Sequence, residues 1–136
     1  MRIVIDTNVL VSAIFFGGKP QEIVELAYQQ RVTAVASPEI VEEYQETIDE
    51  LARRFSRTGT DHALVRIVAS FDVVEISRKV AVCRDPDDDK FLSCAAEGKC
   101  LYIVSGDKDL LSVGTFEGVE VVTVTEFLER FSQIDT

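Results

Sequence analysis

The sequence predicts an α/β domain in which a parallel sheet carries helices on both faces. Three observations lead there. Short β-branched or apolar runs alternate with helical patterns along the chain, the order that βαβ units require. The 136 residues match one ordinary domain, and 46% of them are hydrophobic, enough to bury a core. No repeat, low-complexity segment or linker interrupts the chain, so residues 1–136 read as a single domain.

The elements follow in order. RIVID, residues 2–6, is a β-branched run that ends in an acid and reads as the first strand. TNVLVSAIFF follows, and GGKP breaks the chain. Pro20 suits the first turn of a helix reaching Gln30, with Ile23, Leu26 and Ala27 on one face. VTAVA, residues 32–36, is a second strand. Ser37-Pro38 is a helix start, with Ser as N-cap and Pro in the first helical position. Ile40, Tyr44, Ile48, Leu51 and Phe55 then recur at helical spacing until SRTGTD ends the pattern. A helix from Asp61 to Phe71 follows, and VVEI, residues 73–76, reads as a short strand. Beyond the aspartate-rich CRDPDDDK a helix runs to Gly98, which reads as its C-terminal cap. LYIVS, residues 101–105, is a strand, and GDKDLLSVGTFEG holds a short helix and a turn. VEVVTV, residues 119–124, is the last strand, and Thr125 caps a final helix, EFLERF.

Composition excludes several classes. No run of 18 apolar residues exists to span a membrane. The N-terminus carries Asp6 and no small-residue cleavage site, which argues against a signal peptide. Three cysteines, Cys83, Cys94 and Cys100, are odd in number and lack CxxC spacing. They make neither a disulfide framework nor a zinc site, and read as reduced thiols of a cytoplasmic protein. The net charge of −10 is the opposite of an ordinary nucleic-acid surface. Either the partner is basic, or the excess acid is gathered in one metal site.

The placement of the acids favours the second. In open α/β sheets, ligands bind outside the carboxyl ends of the strands. Asp6 ends the first strand, and Asp107 follows the YIVS strand by two residues. Asp89 opens the helix that leads back to that strand, and Glu43 lies in the second turn of the helix begun at Ser37. All four fall at one edge. Like charges so close raise one another's pKa, and a divalent cation relieves that repulsion. An all-oxygen donor set favours Mg²⁺ or Mn²⁺. Asp85, Asp87, Asp88 and Asp109 neighbour the same edge. Without these eight acids, 16 acidic residues face 14 basic ones, so most of the acidity is local. A calcium loop begun at Asp85 would need Gly and Glu where Lys90 and Ala96 stand. Asp87 and Asp88 read as helix-start charges favoured by the macrodipole.

VIDTNVLVSA, SPEIVEEY, RDPDDDKFLSCA and YIVSGDKDLL, in that order, resemble the four acidic motifs of the PIN-domain ribonucleases. Within that family they resemble the virulence-associated protein C-like toxins of prokaryotic toxin–antitoxin pairs. The resemblance covers nearly the whole chain. It implies a three-layer α/β/α sandwich and Mg²⁺- or Mn²⁺-dependent cleavage of RNA. It also implies that Asp6, Glu43, Asp89 and Asp107 are the catalytic, metal-holding acids, with Glu43 chosen over Glu42 by the acid-then-apolar ending Glu43-Tyr44. Asn8 and Ser105 match polar residues that orient such a site, and Asp109 a more variable fifth acid.

The expected reaction is hydrolysis of an RNA phosphodiester by metal-activated water, with Asp6, Asp89 and Asp107 on the metal and Glu43 on the water or a second ion. The one histidine, His62, lies far from the motifs, which leaves no Ser–His–Asp triad. Lys19, Arg84 and Lys108 border the site edge, and Arg53, Arg54 and Arg57 cluster at a helix end. These six are candidate phosphate contacts, although the last three equally suit the dipole at that helix end. The alternative is a non-catalytic RNA- or protein-binding module of the same fold. A dehalogenase-type phosphatase would need a second Asp in DTNVL, and a receiver domain paired acids at the first strand. A flap nuclease would need a longer chain. Expected partners are RNA, a small antitoxin that blocks the acids, and a second copy of the chain. Val9, Val11, Ile14, Phe15 and Phe16 form either that homodimer contact or ordinary core.

Overall fold

In a computed structural model, residues 1–134 are described; the last two residues of the predicted domain lie outside them. Six strands form one sheet: β1 (Arg2–Ile5), β2 (Thr33–Ala36), β3 (Asp72–Val73), β4 (Tyr102–Val104), β5 (Thr115–Phe116) and β6 (Val119–Val122). The order is β3-β2-β1-β4-β6-β5, parallel throughout except for the antiparallel β5–β6 pair. Seven helices flank it as an α/β/α sandwich: α1 (Thr7–Phe16), α2 (Gly18–Tyr28), α3 (Pro38–Arg54), α4 (Thr60–Val68), α5 (Asp89–Glu97), α6 (Lys108–Val113) and α7 (Val124–Ile134). No helix among the described residues is long and apolar enough to cross a membrane.

The centre of the sheet is fully apolar, as strands covered on both faces must be. Ile3, Val4, Ile5, Ala34, Val35, Ala36, Ile103 and Val104 have no solvent exposure. Chain order leaves β1 toward β2 on one side and toward β4 on the other, so the topological switch lies between β1 and β4. There Ile3, Val4 and Ile5 pair with Tyr102, Ile103 and Val104. A ligand crevice is expected outside the carboxyl ends of those two strands. α5 packs over β1, β2, β4 and β6, and α1 packs against α2, α3 and α4.

Several local details differ from the sequence reading. TNVLVSAIFF is a helix in its own right, closed at Gly17. The turn after α6 contains a strand, β5: Glu117 and Gly118 both take positive φ (48° and 84°), as a tight two-residue hairpin requires. Thr123, not Thr125, caps the last helix. Its hydroxyl accepts the Glu126 amide at 3.1 Å while Glu126 accepts the Thr123 amide at 3.0 Å, a reciprocal capping box. Gly98 is the C-cap of α5, as its position predicts, but with φ −77°; the positive φ of 55° falls on Lys99 after it. Gly98 is small for a different reason. A Cβ there would stand 2.8 Å from the Cys94 carbonyl oxygen and 2.9 Å from Val35 Cγ1.

That close approach predicts that Gly98→Ala destabilises the protein by roughly 1–3 kcal/mol through overpacking. Gly106→Ala, where an added Cβ meets nothing within 4 Å, should leave the unfolding midpoint nearly unchanged. Urea unfolding of both variants checks this.

Candidate functional site

The crevice predicted by the topology is lined by acids. Asp6, Glu43, Asp85, Asp87, Asp88 and Asp107 surround it, together with Thr7, Asn8, Thr47 and Phe91. Asp6 leaves the end of β1 in extended geometry, and its amide still bonds the Val104 carbonyl at 3.0 Å. Its side chain makes no helix cap, and the carboxylate is free to face the crevice although only 5% exposed. Ser105, fully buried, donates its hydroxyl to Asp6 Oδ2 at 2.6 Å and accepts the Asp107 amide at 2.9 Å. Asp107 caps α6 through Oδ2, which accepts the Leu110 amide at 3.1 Å. Burial raises the Asp6 carboxyl above its ordinary range; the Ser105 hydroxyl and Thr7 amide oppose this, and the Asp107 and Glu43 charges add to it.

Glu43 arrives on α3. Its neighbour Tyr44 is buried and donates its hydroxyl to the Ile5 carbonyl at 2.5 Å, which ties α3 to the end of β1. That bond sets the rotation of the helix, so Glu43 faces the crevice and Glu42 faces solvent. The Thr7 hydroxyl donates to Glu43 Oε2. Lys90 Nζ lies 2.6 Å from Glu43 Oε1. Burial pulls the Lys90 ammonium down, but the Glu43 carboxylate more than offsets it and the net shift is upward.

The structure places Asp88, not Asp89, among the acids. Asp89 is buried on another face of α5, where Oδ1 accepts the amides of Val82 and Cys83 at 3.0 and 2.7 Å. Burial pushes its carboxyl up, but those two amides and the Cys83 thiol win and hold it below the usual range. Asp89, Ser93 and Glu97 form one ladder along α5. Ser93 accepts the Val80 amide at 3.4 Å, and Glu97 accepts the Ser77 amide and hydroxyl at 3.0 and 2.6 Å. The ladder binds the irregular segment 77–83, so Asp89 positions the loop that carries Asp85 and Asp88. Asp88 itself comes within reach of Asp107 and Asp109: one carboxylate oxygen from each lies within 4.8 Å of the others. Burial, then the hydrogen bond and charge of Asp107, then Asp85 and Asp6 push the Asp88 carboxyl up to about 7. Helical phase carried this signal, since Asp88, Phe91, Leu92 and Ala95 fall on one i, i+3, i+4, i+7 stripe.

Asn8 is exposed at the rim, and Asp109 stands beside Asp107 in the first turn of α6. Thr7 and Lys90 were not foreseen. A polar residue directly after the strand-end acid was the available hint for Thr7. Lys90 lay hidden among helix-start charges. Of the candidate phosphate contacts, Arg84 and Lys108 are exposed next to site acids, and Lys19 is exposed at the start of α2. Arg53 and Arg54 lie at the far end of α3, about 15 Å along the helix from Glu43. Arg57 lies beyond that end, over the Phe15 ring, and donates to the Phe15 carbonyl at 3.2 Å. Those three arginines are not brought to the crevice. Of the apolar set in α1, Val9, Val11 and Phe15 are core, and Phe16 is 72% exposed.

The donor set fits a hard divalent cation. It is all oxygen, it converges from separate elements, and burial, with neighbouring carboxylates adding to it, raises two of its members, Asp6 and Asp88. Residues 2–109 match the family model described as PIN domain. An uncharacterized protein of Methanocaldococcus jannaschii is 31% identical over 147 residues, with 98% of this chain and 93% of that protein aligned. The crystal structure of PAE2754 from Pyrobaculum aerophilum is similar at a TM-score of 0.63 and 15% identity, covering 98% of this chain and 99% of that one. VapBC2 from Rickettsia felis, bound to a DNA fragment from its promoter, matches at 0.60 and 12% identity, covering 90% and 98%. At such identities these likenesses speak to the fold.

Two predictions follow from the exchange of roles between the neighbouring aspartates. Asp89→Ala strands two amides of the 77–83 segment and should cost roughly 1–3 kcal/mol of stability. Thermal unfolding measures it, and an unchanged midpoint would refute the anchoring role. The Asp88 carboxyl is raised from 3.8 to about 7 in the folded protein. In EDTA its contribution to stability is therefore complete below pH about 4 and is lost as pH rises through about 7. Asp88→Asn should gain on the parent across that window, which melts taken at both ends would show; a constant difference would contradict it.

Proposed function

The chain belongs to the PIN-domain family, and from that premise we propose that it is a metal-dependent ribonuclease, the toxin of a toxin–antitoxin pair. The observation that carries the proposal is the convergence of Asp6, Asp88, Asp107 and Asp109 outside the β1–β4 switch point, with Glu43 opposite. Asp6, Asp88 and Asp107 would hold Mg²⁺ or Mn²⁺, with Asp109 beside them. When bound, such an ion makes water a better nucleophile at neutral pH and offsets phosphate charge.

The protein's own groups do the rest. Ser105 fixes Asp6 and Asp107 relative to each other, so neither needs to reorganise when an ion or phosphate arrives. Glu43, fixed by Thr7 and Lys90, borders the crevice and orients the attacking water. Arg84 and Lys108, exposed at the rim, attract the phosphates of a single strand entering an otherwise acidic site. Asn8 offers its amide to the same strand.

VapBC2 is named as a pair, and its likeness in fold supports a small antitoxin as partner here. Exposed Phe16, beside Phe55 and Phe15, is an apolar surface on offer to it or to a second copy of the chain. Three free thiols suit a cytoplasmic protein.

A pool of single-stranded RNA incubated with the purified protein tests the reading. Cleavage is expected with Mn²⁺ or Mg²⁺ and absent in EDTA. Asp6→Asn, Asp88→Asn and Asp107→Asn should each lower the rate by roughly 10²–10³ at unchanged fold, the usual effect of removing one transition-state-stabilising group. Cleavage that survives EDTA or Asp107→Asn overturns the metal mechanism. No cleavage by folded, metal-loaded protein favours a binding module that keeps the acids without cutting.

A further inference from the structure

The acidic crevice has two unlike halves. Asp6, Asp88, Asp107 and Asp109 form no ion pair with any described residue. Glu43 is different. Both of its oxygens are engaged by protein donors, Oε2 by the Thr7 hydroxyl and Oε1 by Lys90. Lys90 is built into place. Its side chain is only 11% exposed, its Nζ also donates to the Asp87 carbonyl at 2.7 Å, and it lies 5.5 Å over the Phe91 ring. Glu43 and Lys90 stand on different helices, 47 residues apart in sequence, so this is not a local pair along one helix surface.

Two-metal phosphoryl-transfer sites hold their ions about 3.5–4 Å apart, each reaching its carboxylate oxygens at roughly 2.0–2.1 Å for Mg²⁺. An ammonium 2.6 Å from Glu43 Oε1 occupies the approach a second ion would need. A lysine ammonium supplies a compact point charge at that position. We infer that Lys90 is the resident counter-cation of the Glu43 half, so that the crevice takes one divalent ion, on the Asp6, Asp88 and Asp107 half, and excludes a second. The inference rests on the metal-site reading proposed above, and assigns Lys90 as a positioning residue that holds Glu43 in place without an ion.

Counting Mn²⁺ bound to the full chain, by titration calorimetry and by loss of the free-ion electron paramagnetic resonance signal, tests it without reference to cleavage. The parent should bind one ion per chain. Lys90→Met removes the charge and keeps an unbranched stem over Phe91, and should bind two. Lys90→Met with Glu43→Gln should return to one, and Lys90→Arg, which keeps a cation against Glu43, should stay at one. Thermal melts check that each variant is folded; if Lys90→Met does not fold, Lys90→Gln replaces it with the same expectation. Two ions on the parent overturn the inference and leave the nuclease reading standing. One ion on folded Lys90→Met also overturns it. No Mn²⁺ on any of the proteins removes the metal-site reading, and this inference with it.

Discussion

The site depends on one hydroxyl. Ser105 sits without solvent exposure where β4 ends, donating to Asp6 and accepting from the Asp107 amide. Two like-charged groups just beyond the ends of neighbouring strands would otherwise be pushed apart. The serine bridges them with groups that cannot carry charge. The frame below is equally stiff, because β1 and β4 are paired over three residues and the Asp6 amide extends the pairing to Val104. The acids at the switch point are thus held by the backbone of the sheet's most buried strands.

The other half of the site is held from the helices. Tyr44 anchors α3 to Ile5, and the Asp89 ladder anchors the loop before α5. In each case the anchoring residue is the immediate neighbour of a crevice residue: Tyr44 beside Glu43, Asp89 beside Asp88. Adjacent positions on a helix point about 100° apart, so one residue can grip the scaffold while the next faces the crevice. The same logic puts Lys90 against Glu43 on the third side.

Most of the fold was legible in the sequence. Alternating runs imply a parallel sheet, and the strand-end positions of Asp6 and Asp107 point to the crevice. What escaped was local. The β5 strand is two residues long, below what periodicity resolves, and was visible only through the Glu117-Gly118 turn. Among consecutive aspartates, charge carries no phase information, and the choice between Asp88 and Asp89 needed the apolar stripe of Phe91, Leu92 and Ala95 to be projected backwards. Lys90 was hidden for a related reason. A lysine after four acids reads as solvated compensation, and its ion pair reaches across to a residue 47 positions away.

The ladder along α5 has a consequence for how the crevice is held. Segment 77–83 is fastened by side chains of Asp89, Ser93 and Glu97, by the Arg78–Glu117 ion pair and by Val80 and Cys83 against the core, and by no strand ladder. Backbone pairing is cooperative with the sheet, whereas the three clasps along α5 stand one helical turn apart and each is a separate contact. The segment's attachment is therefore of a different kind from that of the sheet: side-chain clasps and apolar packing instead of backbone pairing. Asp85 and Asp87 follow it within four residues, and Asp88 is the N-cap of α5, so one wall of the crevice joins this clasped segment to the helix. The opposite wall, Asp6 and Asp107, is tied to the paired ends of β1 and β4. The two walls are in this way held asymmetrically: one is a floor woven into the sheet, the other a hem stitched on by side chains.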